Sequence, residues 1–338
     1  MKLASIETQP RNAETMLVIR LGAMGDILHA LPAVASLKLS FPQNRLAWLA
    51  GRKWLALLAG NPHIDELIPF DRTGLSSFLE LRKTLRLLKP EMAVDLQGLV
   101  QSAVAGRMAG ATRFFGFDRA VAREPLAAML YSDRISVSGP HRIERNLQLV
   151  SAAGASRLTQ ETWIPEGVPE GALPSGPYVL ASPFAGWNSK QWPVELYDQL
   201  GERLQKEGLE FVVNVPPEKE KEVKSFRHVN VHSSSLSGLI YATRHATAVI
   251  GVDSGPLHLA AALKKPGVAL FGPTDPAQTG PFRSPMTVLR DGSVETTYKR
   301  EIGVHASMAR ISVEQVEEAL LRSVRAEAGQ LKTLGWHS

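Results

Sequence analysis

The fold class follows from the stretch Met16-Leu17-Val18-Ile19-Arg20-Leu21-Gly22-Ala23-Met24-Gly25-Asp26. Its first five residues form an apolar run of strand length, and residues 27–37 then carry apolar side chains at helical spacing. Gly22 and Gly25 allow a tight turn and the close approach of another molecule. Asp26 falls at the start of the helix, where free N–H groups and the helix dipole favour a carboxylate. The stretch therefore predicts a strand, a turn and a helix, with Asp26 as either a helix cap or a site residue.

The same alternation of strands and helices continues along both halves of the chain, which predicts parallel sheets covered on both faces. The predicted strands are residues 16–20, 46–50, 67–70, 92–96, 113–117, 178–182, 210–215, 248–252 and 268–272. The predicted helices are residues 27–37, 54–58, 76–88, 99–108, 193–206, 236–243, 257–263 and 313–326.

Length and composition predict two domains and restrict the function classes. A chain of 338 residues exceeds one ordinary core. The absence of cysteine excludes disulfides, thiolate metal sites and cysteine nucleophiles. The formal charge of +5 suits phosphate groups or an anionic membrane surface, but is too small and dispersed to indicate nucleic acid. We expect a disordered extension over residues 1–15, an N-terminal domain over 16–160, a linker over 161–177, a C-terminal domain over 178–325 and a tail over 326–338.

Three turns of the second half carry candidate binding residues, because ligands bind open parallel sheets at the carboxyl ends of their strands. Val252-Asp253-Ser254-Gly255-Pro256-Leu257-His258 follows a strand and opens a helix, so it offers an anion site or merely a well-capped helix. Thr274 follows the next strand and is a candidate contact to a nucleotide. Lys190 precedes a helix, where it either reaches a diphosphate or remains a solvated surface lysine.

Turns of the first half offer a basic rim for an anionic acceptor. Asp95 and Gln97 end one strand, Arg72 follows another, and Arg123 lies beside Glu124, with which it would otherwise pair. Several motifs are absent from the sequence: the GxxxxGK[ST] phosphate loop, the GxSxG elbow, HExxH, GxGxxG and an Asp-x-Asp pair for a metal-bound diphosphate.

The set of turns, in this order, resembles the ADP-heptose:lipopolysaccharide heptosyltransferases of glycosyltransferase family 9, and is most similar to the heptosyltransferase I branch. The matching pieces span nearly the whole chain. They are residues 22–32, 95–103, 122–126, 190–193, 253–258 and 272–276.

The resemblance implies a GT-B fold, with two Rossmann-like αβα domains facing each other across a cleft. It implies an inverting transfer of L-glycero-D-manno-heptose from ADP-heptose to a Kdo residue of the lipopolysaccharide inner core. Asp26 matches the general base of the family, Lys190 and the Asp253-Ser254-Gly255-x-x-His258 turn match the residues that hold the ADP diphosphate, and Arg123 matches a residue tied to acceptor recognition. No cofactor and no metal are expected. The expected acceptor contacts are Gly22, Met24, Gly25, Arg72, Asp95, Gln97 and Arg123.

The sequence also departs from the family pattern, which leaves the donor and the acceptor open. A donor-binding glutamate usually follows a Gly-x-x-x-Glu turn, but the stretch here is Val215-Pro216-Pro217-Glu218-Lys219-Glu220, so Glu218 and Glu220 are both candidates. Arg72 alone stands where heptosyltransferase I carries a basic cluster. Ala185-Gly186-Trp187 replaces the small polar residues usual before the lysine.

Three other functions remain as alternatives: a family 9 transferase with another nucleotide sugar, a GT-B-type nucleotide-sugar 2-epimerase, and a non-catalytic nucleotide-sugar-binding protein. Asp26 favours the enzyme, since a pure binder has little use for that carboxylate. We expect a cytoplasmic protein at the inner face of the inner membrane, because the acceptor hydroxyl hangs from a lipid and no run of about 18 apolar residues occurs. Arg82, Lys83, Arg86 and Arg107 are candidates for docking on anionic lipid.

Overall fold

The computed structural model describes residues 14–71, 74–299 and 301–333, and within these it contains two parallel six-stranded sheets. The chain divides into two compact units. The first holds the described residues up to Gly22, together with His29–Gly139 and Ile143–Trp163. The second holds Ala23–Leu28, Pro140–Arg142 and the described residues from Ile164 onward.

The first sheet is built from the N-terminal half of the chain. Its strands are β1 (Thr15–Ile19), β2 (Arg45–Gly51), β3 (Glu66–Phe70), β4 (Met92–Asp95), β5 (Arg113–Phe117) and β6 (Asp133–Ile135). The helices of this half are α1 (Met24–Ser40), α2 (Leu55–Leu58), α3 (Leu75–Leu88), α4 (Val100–Ala109) and α5 (Arg142–Ala152), with 3₁₀ helices over Arg52–Trp54 and Pro125–Leu130. The strands lie in the order β3-β2-β1-β4-β5-β6.

The second sheet is built from the C-terminal half. Its strands are β7 (Tyr178–Ser182), β8 (Glu210–Val215), β9 (Asn230–Ser233), β10 (Ala248–Val252), β11 (Gly267–Phe271) and β12 (Met286–Arg290), in the order β12-β11-β10-β7-β8-β9. The helices are α6 (Val194–Lys206), α7 (Leu236–His245), α8 (Gly255–Ala262), α9 (Pro276–Thr279), α10 (Ala306–Ala309) and α11 (Val313–Thr333), with 3₁₀ helices over Asn188–Lys190 and Pro217–Val223.

Both sheets have the same strand order, 3-2-1-4-5-6 when each half is numbered separately, which is the Rossmann order. The order reverses between β1 and β4 in the first sheet and between β7 and β10 in the second. Ligands bind such sheets beyond the carboxyl ends of the strands at this switch point. The turns after these four strands therefore hold the positions at which each sheet is expected to bind a ligand.

The central strands are buried apolar runs because helices cover both faces of a parallel sheet. In the first unit, one cluster packs Leu81 and Leu85 of α3, Ala103 of α4 and Ala127 against the strands. In the second unit, a core cluster includes Trp192, whose indole N–H donates to the carbonyl of Ile311. Because one face of each of these helices is buried in a core, its opposite face points away from the sheet.

The structure confirms the strands predicted for the interior of each sheet and adds β6, β9 and β12, which the sequence analysis missed. All three are edge strands and carry exposed positions, so they lack the continuous apolar runs of the interior strands. Helix α5 was also missed, and α11 extends beyond the predicted helix to Thr333. The predicted extension over residues 1–15 falls mostly outside the described residues, and the predicted domain boundaries stay predictions.

Two buried tyrosines, one in each unit, differ in their hydrogen bonding and allow a matched test of its contribution to stability. The Tyr131 hydroxyl donates to Asp95 Oδ2 at 2.7 Å, whereas the buried Tyr197 hydroxyl has no hydrogen-bond partner within the part of the chain that the structure describes. We expect Tyr131→Phe to lower the free energy of unfolding by about 1.5–3 kcal/mol, because it removes a bond to a buried carboxylate. Tyr197→Phe should leave the free energy unchanged or raise it. Urea unfolding followed by circular dichroism checks both values, and equal losses would contradict this account.

Candidate active site

The first turn of helix α1 packs against the first turn of helix α8. A Cβ built on Gly25 would lie 2.2 Å from His258 Cδ2, and one built on Gly255 would lie 2.7 Å from Met24 Sδ. Such distances are far below van der Waals contact, so both positions require glycine. These four residues belong to the second compact unit, which brings the first turn of α1 to the start of α8.

Asp26 lies in the first turn of α1 and forms an ion pair with Arg142, the first residue of α5. The Arg142 Nη1 atom donates to Asp26 Oδ1 at 2.5 Å. The Asp26 side chain is 12% exposed and that of Arg142 is 36% exposed. A charge-assisted bond of this kind fixes the orientation of the carboxylate.

Asp253 is the centre of a buried polar cluster at the end of β10. Its Oδ2 atom accepts hydrogen bonds from Lys190 Nζ at 2.5 Å and Thr274 Oγ1 at 2.8 Å. Its Oδ1 atom accepts from Thr279 Oγ1 at 3.3 Å and lies 3.4 Å from His258 Nε2. Three segments, at residue 190, residues 253–258 and residues 274–279, therefore meet at one carboxylate.

Electrostatics keep this cluster charged. Burial by itself would raise the pKa of the Asp253 carboxyl, but the hydrogen bond from His258 and the nearby charge of Lys190 hold that pKa well below its usual range. The Lys190 ammonium also lies 4.5 Å from the centroid of the Trp187 ring, a cation–π distance. The cluster thus combines an ionised carboxylate with a cation at the carboxyl end of β10.

Helix α8 begins beside this cluster without a side-chain cap. Ser254 is its N-cap residue, yet the hydroxyl makes no cap hydrogen bond, and Ser254 Oγ is buried with no partner among the residues that the structure describes. The first N–H groups of a helix and its dipole favour an anion. With Lys190 nearby, this start is suited to a phosphate group.

A comparison with protein families decides the identity of the chain. The model of glycosyltransferase family 9 (heptosyltransferase) matches residues 78–305. This chain belongs to glycosyltransferase family 9. The predicted enzyme class, a glycosyltransferase, is thereby confirmed, and so is the resemblance to the heptosyltransferases.

Curated relatives of this family 9 glycosyltransferase are lipopolysaccharide heptosyltransferases. The lipopolysaccharide heptosyltransferase 1 of Pseudomonas aeruginosa is 30% identical over 293 residues, which cover 79% of this chain and 81% of that protein. The lipopolysaccharide heptosyltransferase 1 of Escherichia coli K12 is 27% identical and the alignment covers 81% of this chain and 93% of that protein. Lipopolysaccharide heptosyltransferase 3 of the same strain is 25% identical, with 74% and 80% covered.

Solved structures confirm the predicted fold class, a GT-B fold of two Rossmann-like domains. The ADP-heptose lps heptosyltransferase II of E. coli superimposes with a TM-score of 0.76 at 25% identity and covers 93% of this chain and 99% of that one. The E. coli heptosyltransferase WaaC with ADP has a TM-score of 0.73 at 24% identity and covers 90% and 98%.

In this family 9 glycosyltransferase, Asp95 and Gln97 hold the turn after β1 in place. Each oxygen of the buried Asp95 carboxylate accepts two hydrogen bonds, from the N–H groups of Gln97 and Gly98 and from the hydroxyls of Ser102 and Tyr131. Burial raises the pKa of Asp95, and these bonds partly offset the rise. Gln97 Oε1 accepts from the Leu21 N–H at 2.6 Å. Contact of Asp95 and Gln97 with an acceptor stays a prediction.

Arg123 is exposed in the loop that follows β5 and passes close to Gly98, since a Cβ there would lie 3.2 Å from the Arg123 nitrogen. The neighbouring Glu124 caps helix α4, because its Oε2 accepts a hydrogen bond from the Val100 N–H at 2.7 Å. Arg72, the other basic candidate, lies outside the described residues.

The two glutamate candidates of this transferase, Glu218 and Glu220, are both exposed on the 3₁₀ helix that follows β8. Between them, Lys219 extends over the ring of Phe184, with 5.3 Å from Nζ to the ring centroid. Both glutamates follow β8, as expected for residues near the carboxyl ends of the strands. Donor binding by either glutamate stays a prediction.

Sequence reasoning missed Arg142 and Thr279, which the structure adds to the site. Arg142 follows Gly139-Pro140 and precedes apolar residues at helical spacing, a pattern typical of a helix start. Thr279 gave no signal, because its hydroxyl reaches Asp253 only through the fold.

The described residues contain no group of three or more His, Asp or Glu side chains that could hold a metal ion. They also include no helix with the length and apolar character needed to cross a membrane. The expectation that the enzyme needs no cofactor stays a prediction.

Proposed function

We propose that this enzyme transfers L-glycero-D-manno-heptose from ADP-heptose to a Kdo residue of the lipopolysaccharide inner core, with inversion at the transferred carbon. The names of the relatives support the sugar and the polysaccharide, since curated relatives over most of the chain are lipopolysaccharide heptosyltransferases. A solved structural relative of the same fold is named an ADP-heptose heptosyltransferase, which supports the donor.

The packing of Gly25 against His258 is the observation that carries the proposal. It sets the candidate base Asp26, one residue along the chain, beside the turn proposed to hold the donor diphosphate. A single displacement needs both groups at one reacting centre, the base behind the acceptor hydroxyl and the stabilising groups at the leaving diphosphate.

The proposed reaction is one displacement. The acceptor oxygen forms a bond to the anomeric carbon while the bond from that carbon to the diphosphate oxygen breaks. Asp26 takes the proton of the acceptor hydroxyl, a contribution of about two to four powers of ten in rate. The charge that develops on ADP is stabilised by Lys190, His258 and the N-terminus of α8.

We also propose roles for the remaining candidate residues, which the sequence places in turns that follow strands. We assign the donor to the second sheet and the acceptor to the turns of the first half. The proposed donor contacts are Lys190, Glu218, Glu220, Asp253, Ser254, Gly255, His258 and Thr274. The proposed acceptor contacts are Gly22, Met24, Gly25, Arg72, Asp95, Gln97 and Arg123.

The proposed place of action is the cytoplasmic face of the inner membrane, with the enzyme bound peripherally. This location is supported by the acceptor, because a Kdo residue on lipid A presents its hydroxyl at the membrane surface.

A transfer assay with a panel of donors tests the proposal. The enzyme is incubated with a deacylated Kdo-containing acceptor and either ADP-heptose, ADP-glucose, UDP-glucose or GDP-mannose, and the product mass is measured. We expect the gain of one heptose with ADP-heptose only. Transfer from another nucleotide sugar would overturn the donor. ADP-heptose binding without transfer would overturn the acceptor. Binding of all donors without any reaction would favour a non-catalytic binding protein.

A further inference from the structure

Helix α3 carries a stripe of exposed apolar and basic side chains along its outer side. Leu79 is 66% exposed and Leu87 is 74% exposed, although leucine normally seeks burial. Arg82, Lys83 and Arg86 are exposed between them. The spacing of i, i+3, i+4, i+7 and i+8 aligns all five residues along one helix face about 12 Å long.

The opposite side of α3 is anchored, so the stripe cannot turn inward. Leu81 and Leu85 are buried in the core of the first unit, and Phe78 and Leu88 pack against the same core. The helix contains three basic residues and one acidic residue, Glu80, so the stripe carries a net positive charge.

Two elements near α3 in the first unit also carry exposed apolar or basic residues. Helix α4 packs against both α3 and the 3₁₀ helix over Pro125–Leu130, and all three contribute residues to one core. Leu126 is 63% exposed and Met129 is 71% exposed on the 3₁₀ helix. Because they are three residues apart, they project from the same side of that helix. Arg107 of α4 is also exposed.

We propose that this stripe of α3, defined by Leu79, Arg82, Lys83, Arg86 and Leu87, docks on an anionic lipid bilayer. Basic side chains attract anionic headgroups, and apolar side chains interleaved with them enter the boundary between headgroups and acyl chains. A protein partner that covers a purely apolar face would not call for three cations within the stripe. Binding of the protein to vesicles does not depend on the proposed function. Only the expected effect of docking on transfer to a lipid-linked acceptor rests on that function.

Vesicle co-sedimentation of the full chain tests the proposal. The probes are vesicles of phosphatidylethanolamine with roughly one part in four of phosphatidylglycerol, and neutral phosphatidylcholine vesicles. Each basic residue near an anionic surface strengthens binding about fivefold, so Arg82→Glu/Lys83→Glu/Arg86→Glu should weaken binding by at least about 100-fold. The matched control Lys206→Glu/Arg322→Glu/Arg325→Glu reverses three exposed charges of the second unit and should bind like the wild type.

Apolar contributions are tested at high salt, where the electrostatic attraction is screened. Leu79→Asn/Leu87→Asn should abolish the binding that survives there, whereas Leu158→Asn/Val168→Asn, which alters two other exposed apolar residues, should not. Equal binding of the charge-reversed protein and its control would overturn the proposal. So would a self-association, seen by sedimentation velocity, that depends on Leu79 and Leu87 in a protein that does not bind vesicles.

Kinetics separate this inference from the proposed function. The charge-reversed enzyme should show a raised KM for an acceptor embedded in anionic vesicles, and an unchanged kcat and KM for the soluble deacylated acceptor. Loss of transfer to both acceptors would contradict docking as the role of this face. A wild type that binds vesicles but transfers nothing would contradict the proposed function and leave the docking face standing.

Discussion

Asp26→Asn should lower the rate of sugar transfer by about two to four powers of ten while leaving the affinity for the nucleotide sugar unchanged. Asparagine keeps the size of the side chain and its hydrogen bond from Arg142, but it cannot accept the proton of the acceptor hydroxyl. Steady-state rates and donor titration by calorimetry measure the two effects separately.

The control for this variant is Arg142→Gln, which removes the ion pair but leaves the carboxylate. Arg142 Nη1 donates to Asp26 Oδ1 at 2.5 Å and so orients the carboxylate. Arg142→Gln should therefore lose less activity than Asp26→Asn, because the base is still present, and it should keep the same donor affinity. If the two variants lose the same activity, the ion pair rather than the base explains the loss. If Asp26→Asn retains full activity, Asp26 is not the base.

Asp253→Ala should lower the free energy of unfolding by about 3–5 kcal/mol. The substitution leaves the Lys190 ammonium, which is only 16% exposed, without its partner, and it also removes the acceptor of the Thr274 hydroxyl. Asp71→Ala is the matched control, since it breaks an ion pair with Arg52 in which both side chains are well exposed. That control should cost at most about 1 kcal/mol. Urea unfolding measures both losses, and equal losses would contradict the buried cluster.

The stabilising effect of Asp253 should also depend on pH. The pKa of this carboxyl is depressed in the folded protein, so its contribution is fully present above the unfolded pKa of about 3.9 and is lost as pH falls through the folded value. The difference between wild type and Asp253→Ala should therefore be constant from about pH 5 upward and shrink only below about pH 4. A difference that shrinks as pH rises from 5 to 8 would contradict the assigned ion pair.

The central part of the fold was predictable because buried parallel strands leave a direct trace in sequence. Strands such as Tyr178–Ser182 and Ala248–Val252 are buried and consist almost entirely of apolar residues, and they occupy the interior of their sheet. Asn230–Ser233 and Asp133–Ile135 are edge strands with polar residues, so no apolar run marks them. Their pairing depends on a neighbour that the sequence does not identify.

The candidate site was predictable where a residue follows a strand directly, and not where the fold brings it from elsewhere. Asp26, Asp253 and Lys190 all stand in turns after strands at the two switch points. Arg142 and Thr279 join Asp26 and Asp253 from segments more than 20 residues away. Their partners are set by tertiary packing, for which local spacing carries no signal.

The anomeric configuration of the product tests the central claim most directly. The wild-type enzyme is supplied with ADP-heptose and the deacylated Kdo-containing acceptor, and the new linkage is determined by NMR. A single displacement with Asp26 as base predicts a transferred heptose whose anomeric configuration is opposite to that of the donor. Retention of the donor configuration would require a different mechanism and would contradict the account.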